Sequence, residues 1–286
     1  MQSFLNKYAI RSVLLIFSSY WLAQLASHTY HGLNDETASA IVSPSFVKAA
    51  RASPDNYRNV KYLAITAMDM AVPYQALALF TAVRGSDSFV RAYGAVLALV
   101  TALGITWKTA LRAIAGAEAT ASHLTYLDLL GVVALLAAFV FTSHPSPSPA
   151  ALSGVTSAVE RVWLRLHGYV GLCVVATIFV KPAGLWIVSL NTSPTANVMY
   201  HVVITHVFWE SLLHLAVGRY ASPRDAVAFY TAALARVLLS SFTLYSFADH
   251  APDLVGLSSL LAVELLTLSF FVSERFRSAT AAAKRK

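Results

Sequence analysis

The sequence predicts an all-α integral membrane protein with about eight transmembrane helices, arranged as two halves of four helices each. Of its residues 57% are apolar and only 12% are charged, about half of the roughly 25% charge that soluble domains carry. The charges gather at intervals, and the apolar runs between them have about 20 residues, enough to cross a hydrocarbon core of roughly 30 Å. This pattern excludes a soluble enzyme and a disordered tail. The single cysteine, Cys173, lies in an apolar run and excludes a disulfide scaffold.

Eight apolar segments are predicted to span the membrane. They are residues 8–30, 60–83, 89–114, 124–143, 162–190, 198–218, 226–247 and 254–273. The first segment, with Lys7 and Arg11 ahead of an apolar stretch, also fits a signal peptide. An even number of spans places both termini on one side, which the distribution of basic residues favours.

The basic residues indicate how the chain is oriented. The protein has 21 Lys and Arg residues against 14 Asp and Glu. Most of the basic residues fall at the termini and in the turns near residues 84–91, 161–165 and 219–224. The opposite side is predicted to hold those of residues 48–61 and 108–112, together with Arg236. Because Lys and Arg are enriched in cytoplasmic loops, both termini are predicted to be cytoplasmic, and the basic excess does not indicate nucleic acid.

A Pro/Ser-rich segment divides the chain. We predict a first membrane half at 1–143, a linker at 144–160, a second half at 161–276 and a basic cytoplasmic tail at 277–286. The two halves share a layout, because Arg84-Gly85-Ser86 and the segment 217–224 each predict a tight turn between two helices.

The residue pattern of the first half is more specific than this shared layout. Residues 62–99 contain a mid-helix Pro73, a basic-Gly-Ser turn at Gly85, and an aromatic-apolar-Arg start of the next helix at Phe89. This stretch resembles the second and third helices of the EXPERA family, which includes emopamil-binding protein and the second sigma receptor. The resemblance covers about 140 residues of the first half, and the second half matches by layout only. A weaker resemblance, resting on size and span count, is to the eight-span membrane terpene cyclases of meroterpenoid pathways.

The EXPERA resemblance implies a four-helix bundle with a lipid-sized cavity, here in tandem, in the endoplasmic reticulum. It also implies that the ligand is a sterol or a related lipid. The family's sterol isomerase carries a His and a Glu on the first helix of its bundle. Helix one here has Gln24, His28 and His31 and no His-x-x-x-Glu pair, and only Asp69 roughly matches the acid of the next helix.

Four acids lie in predicted spans: Asp69, Asp128, Glu210 and Glu264. Ionisable groups in a bilayer are costly and point to a site. A carboxyl group buried in apolar surroundings tends to stay protonated, which suits it to protonate an alkene or epoxide. The alternative is a hydrogen bond between helices. Asp69 and Glu210 lie deepest and are the predicted catalytic acids.

The sixth predicted span is the richest in polar groups. His206 and Glu210 are four residues apart and share a helix face, which predicts a catalytic pair, and His214 extends the row. Zinc at this spacing lacks a third ligand, and haem ligation by scattered histidines is a further alternative. We predict no metal and no cofactor. The residues predicted to bind substrate are Tyr74, Tyr200, His201, Trp209, His214 and Glu264.

These features predict an isomerase-type membrane enzyme. A buried acid protonates a terpenoid or sterol-like lipid, and aromatic rings stabilise the carbocation while it cyclises or shifts a double bond. The predicted partners are this hydrophobic small molecule and membrane lipids, with no nucleic acid; a homodimer is left open. A non-catalytic lipid-binding protein of the endoplasmic reticulum is the alternative, and a transporter ranks third because matching broken-helix signals are missing.

Overall fold

The computed structural model describes residues 2–30, 48, 50–115, 157–180, 194–248 and 254–283. Within these ranges the chain forms seven α-helices and no strand. The helices are α1 (Gln2–Tyr30), α2 (Pro54–Arg84), α3 (Asp87–Ala115), α4 (Ala158–Val180), α5 (Pro194–Tyr220), α6 (Pro223–Ser246) and α7 (Leu254–Ala283). The all-α class is therefore confirmed.

Three helical segments are long and apolar enough to cross a membrane: Pro54–Arg84, Pro223–Ser246 and Val255–Arg275. A shorter apolar segment, Tyr8–Ala23, lies in α1. Length and composition thus fit a helical membrane protein, as the sequence predicts, with three spans meeting these criteria in the described ranges rather than eight.

The predicted helices compare closely with the observed ones where both can be seen. The predicted span 124–143, Asp128 and linker residues 144–156 lie outside the described residues. The predicted end of the last helix at residue 273 is too early, because α7 continues to Ala283. The stretch assigned to a basic tail is therefore helical as far as Ala283.

Both predicted tight turns are confirmed. Helix α2 ends at Arg84 and α3 begins at Asp87, while α5 ends at Tyr220 and α6 begins at Pro223. Ser222 caps α6: its Oγ accepts from the Asp225 backbone N–H, and the Asp225 carboxylate accepts from the Ser222 N–H. This reciprocal pair satisfies two backbone donors that the first turn of a helix leaves without partners.

The two turns are hydrogen-bonded to each other. Ser86 Oγ donates to Asp225 Oδ2 at 2.6 Å, and Ser88 Oγ donates to the Tyr220 carbonyl at 3.0 Å. Asp225 thus caps its own helix and also holds the start of α3. We call this region, residues 84–88 and 220–225, the turn end of the bundle.

Arg11 of α1 fastens the same end. Its guanidinium donates to the carbonyls of Ala82 and Gly85 at 2.9 and 2.6 Å, and to Asp87 Oδ1 at 2.8 Å. Carbonyls at a helix C-terminus lack intrahelical partners and carry partial negative charge, so a cation is favoured there.

All seven helices contribute to one hydrophobic core, which extends from Ile10 in α1 to Phe271 in α7. Helix α2 packs against α1, α5 and α6, α3 and α4 pack against α5, and α7 packs against α6. The helices assigned to the two sequence halves therefore pack against each other. A smaller cluster around Leu63, Tyr200 and Ile204 lies away from the turn end.

Candidate functional site

A buried ion cluster joins the last three helices. Arg236 of α6 donates through Nη2 to Glu210 Oε1 of α5 and to Glu264 Oε1 of α7, both at 2.5 Å, and through Nε to Glu210 Oε1 at 3.1 Å. Each of the three residues is less than a tenth exposed. A charged group in this setting is tolerated only when it is paired, and Arg236 supplies the positive charge that both carboxylates need.

Tyr74 of α2 completes the cluster on one side. Its hydroxyl donates to Glu210 Oε1 at 2.7 Å. The Tyr74 backbone carbonyl in turn accepts from the Tyr93 hydroxyl at 2.5 Å. The Tyr74 ring lies 5.8 Å from Trp209 and 6.3 Å from Phe229, measured between centroids. These rings enclose the cluster in apolar surface, which strengthens its electrostatic interactions.

Two histidines lie on the other side of the cluster. His214 Nδ1 is 2.8 Å from the backbone carbonyl of Glu210, and its ring stacks on that of His167 at 4.5 Å between centroids. His167 Nε2 lies 3.4 Å from Glu264 Oε1. Trp163 lies 4.9 Å from the His167 ring and 5.1 Å from the His214 ring. We call Tyr74, His167, Glu210, His214, Arg236 and Glu264 the Arg236 cluster.

The Arg236 cluster lies far from the helix ends. Tyr74 precedes the end of α2 at Arg84 by ten residues, and Glu210 precedes the end of α5 at Tyr220 by ten. At about 1.5 Å per residue, this places both about 15 Å from the turn end. This distance is about half of the roughly 30 Å thickness of a hydrocarbon core.

Asp69 occupies a separate buried position, more than a turn before Tyr74 in α2. It is 8% exposed, and its Oδ2 has no hydrogen-bond partner within the described part of the chain. Thr243 of α6 faces it, and Tyr62 lies within electrostatic reach. Pro73 has no N–H to donate to the Asp69 carbonyl four residues earlier.

The predicted site residues thus separate into groups. The structure brings Tyr74, Glu210, His214 and Glu264 together, with Trp209 packed on Tyr74. It does not pair His206 with Glu210, because His206 Nδ1 lies 2.8 Å from its own helix's Val202 carbonyl while Glu210 binds Arg236.

Tyr200 and His201 lie elsewhere. Tyr200 belongs to the smaller apolar cluster away from the turn end. The His201 ring lies 6.2 Å from that of Tyr200, and the His201 carbonyl accepts from Thr205. Tyr200 and His201 precede Glu210 by ten and nine residues of α5, which is about two and a half turns or more.

Two members of the cluster, Arg236 and His167, are not predicted as site residues from the sequence. The predicted place of Arg236 on the non-cytoplasmic side is wrong, because it lies within α6 and is 7% exposed. A basic residue inside a predicted span that also has acids in neighbouring spans was the available signal. His167 carried no such signal, because only the packing of α4 on α5 brings it to His214.

The donor set also contains three groups able to hold a metal ion. One ligand atom each from His167, Glu210 and His214 lie within 4.8 Å of one another. From the sequence alone, the spacing predicts His206 as the partner of Glu210 and indicates no third ligand.

Comparison of the chain with protein-family models, curated proteins and solved structures finds no match. The resemblances to the EXPERA family and to the terpene cyclases therefore stay predictions.

Proposed function

We propose that this protein is a membrane-embedded isomerase-type enzyme in which Asp69 donates a proton to a terpenoid or sterol-like lipid. The observation that carries the proposal is the Asp69 carboxyl group, buried between α2 and α6 with one oxygen that has no partner among the described residues. An acid held in a dry, apolar place is suited to general acid catalysis on a substrate that offers only an alkene or an epoxide.

We assign Glu210 a structural role, whereas the sequence predicts it as a catalytic acid. Arg236 and Tyr74 both donate to its Oε1, and a carboxylate that accepts from a guanidinium is stabilised in its charged form. A charged carboxylate has no proton to give. In this proposal Glu210 and Glu264 therefore hold the helices around the site, and Asp69 alone is the donor.

Aromatic and small polar groups around Asp69 fit the same chemistry. Tyr62, two turns earlier on α2, lies 5.8 Å from Phe247 between ring centroids. Ring faces near a carbocation stabilise it by about 0.5–2 kcal/mol each. The proposed step moves the Asp69 proton to an alkene carbon or epoxide oxygen. The resulting cation cyclises or shifts its double bond, and loss of a proton to the carboxylate gives an isomer of the substrate.

The proposed setting is an eight-span protein of the endoplasmic reticulum with cytoplasmic termini. Helix α3 begins at the turn end and runs away from it for 29 residues. Helix α4 begins beside that same end, since Leu164 packs near Gly218 and Gly168 near Leu215. Two helices that begin at one end support a further span between them in the sequence, which is predicted at 124–143. The organelle rests on the EXPERA resemblance.

The test is incubation of the purified protein, in lipid nanodiscs, with a panel of prenylated epoxides and sterol precursors. We expect an isomeric product of unchanged mass from the parent protein and none from Asp69→Asn. Asp87→Asn, an acid paired with Arg11 at the turn end, is the matched control and should convert at the parental rate.

The alternative function, a non-catalytic lipid-binding protein, predicts another result. In that case the parent protein binds a lipid of the panel tightly, and the lipid is recovered unchanged. Conversion by Asp69→Asn at the parental rate would show that the proton comes from another group.

A further inference from the structure

We propose that the Arg236 cluster binds a divalent transition-metal ion of the zinc type, held by His167, Glu210 and His214. This site is separate from Asp69 and does not depend on the proposed enzymatic activity. The three ligand types are those of many zinc sites, in which two imidazoles and one carboxylate leave a fourth position open.

The His214 ring is already oriented as a ligand. Its Nδ1 is bonded to the Glu210 carbonyl at 2.8 Å, and the side chain is fully buried. Its Nε2 has no hydrogen-bond partner within the described residues. Metal-binding histidines commonly donate one ring N–H to a backbone carbonyl or carboxylate, which fixes the tautomer and leaves the other nitrogen for the ion.

Glu210 can contribute an oxygen without losing its present partners. Tyr74 and Arg236 both donate to Oε1, and no hydrogen bond to Oε2 is found among the described groups. Oε2 is the oxygen that an ion would take. The tyrosine and the guanidinium would then act as outer partners that hold the carboxylate in place.

His167 supplies the third ligand from a different helix. Its ring stacks on His214, and its Nε2 lies 3.4 Å from Glu264 Oε1. The three ligand atoms lie within 4.8 Å of one another, whereas ligands of a tetrahedral zinc ion are roughly 3.4 Å apart for bonds of about 2.0–2.1 Å. Binding an ion would therefore require the two imidazole rings to rotate out of their stacked arrangement.

The charge of the cluster favours a cation. The carboxyl groups of Glu210 and Glu264 share one cation, the guanidinium of Arg236. A buried negative charge without compensation is costly, and a divalent ion would neutralise it. The two imidazole ligands favour zinc over magnesium or calcium, which prefer all-oxygen sites.

The experiment measures zinc binding to the full-length protein in detergent after chelator treatment and dialysis. We expect about one zinc per chain and a higher midpoint of thermal unfolding with zinc, while magnesium gives no shift. His167→Gln and His214→Gln should lose the ion. His206→Gln, which alters a histidine of the same helix outside the cluster, should keep it.

One further variant and one spectroscopic measurement keep the test valid if a histidine variant misfolds. Glu264→Gln, which keeps all three ligands, should weaken zinc binding about 10–100-fold. Cobalt bound to the parent protein should show the visible absorption of a four-coordinate site. If the parent binds no zinc or cobalt, or if His206→Gln loses the ion while His214→Gln retains it, the metal site is wrong.

Discussion

Arg236 is the residue on which the buried polar groups of α5 and α7 depend, because Glu210 and Glu264 share it as their cation. Removing one member of a buried ion pair leaves a charge without compensation in surroundings of low dielectric constant. That penalty is larger than the net contribution of the intact pair.

At this scale we predict that Arg236→Gln lowers the free energy of unfolding by about 3–5 kcal/mol. Tyr74→Phe removes one hydrogen bond to a charged acceptor and should cost about 1.5–3 kcal/mol. Denaturant unfolding in detergent, followed by circular dichroism, measures both. An Arg236→Gln protein within about 0.5 kcal/mol of the parent would show that the carboxylates do not need this cation.

The buried acids show which site residues can be predicted from the sequence and which of their contacts cannot. Asp69, Glu210 and Glu264 could be picked out because acids are rare in apolar spans, and all three are buried. Their partners could not be assigned, since pairing Glu210 with Arg236 requires the packing of α5 near α6. A helical spacing of four predicted His206 as the partner, whereas the guanidinium from the neighbouring helix makes the stronger, charge-assisted bond.

At the scale of elements, glycine allows α4 to approach α5 closely. A Cβ atom added at Gly168 would lie 2.7 Å from Leu215 Cγ and 3.0 Å from the Ser211 carbonyl oxygen. Small residues are typical of close helix contacts in membranes. At Gly218 the nearest atoms of Leu164 would lie 3.6 Å away, an ordinary contact.

We therefore predict opposite effects for two matched substitutions. Gly168→Ala should lower the free energy of unfolding by about 1–3 kcal/mol, because the helices must separate or Leu215 must leave its rotamer. Gly218→Ala should leave it unchanged or raise it by up to about 1 kcal/mol, since alanine favours the helix. Equal shifts of both variants would contradict the close contact.

The turn end gives a second prediction for elements. Asp225→Ala removes the carboxylate that accepts from the Ser222 N–H at the start of α6, and it also removes the bond from Ser86 Oγ. Ser222→Ala removes the N-cap hydroxyl, which costs about 0.5–2 kcal/mol, and leaves the bond from Ser86 in place. Unfolding measurements should show the larger loss for Asp225→Ala, and an equal loss would mean that the bond between the turns adds nothing.

These elements were the most predictable part of the fold. The turns at Gly85 and Ser222-Pro223 follow from local chemistry, and the observed helices begin and end within a few residues of them. What local patterns could not give is that the turns bind each other. The bond from Ser86 to Asp225 joins residues 139 positions apart, and spacing along the sequence does not predict such a contact.

For the whole molecule, orientation in the membrane is the property most open to test. The side of the bundle predicted to face the cytoplasm holds the turn end, where Arg11 binds. The ion pair between Glu160 and Arg275 is predicted to lie on the same side. In a Cys173→Ser background, we predict that Asp87→Cys reacts with an impermeant maleimide in sealed microsomes. Asp55→Cys should react only after the membrane is permeabilised. The reverse pattern would invert the proposed topology.

The rate of lipid conversion tests whether Asp69 is the proton donor. The measurement compares the first-order rate of product formation by the parent and by Asp69→Asn in identical nanodiscs, at equal amounts of folded protein. General acid catalysis accounts for about 10²–10⁴-fold in rate, so we predict a fall of this size. A parental rate from Asp69→Asn would show that Asp69 is not the proton donor.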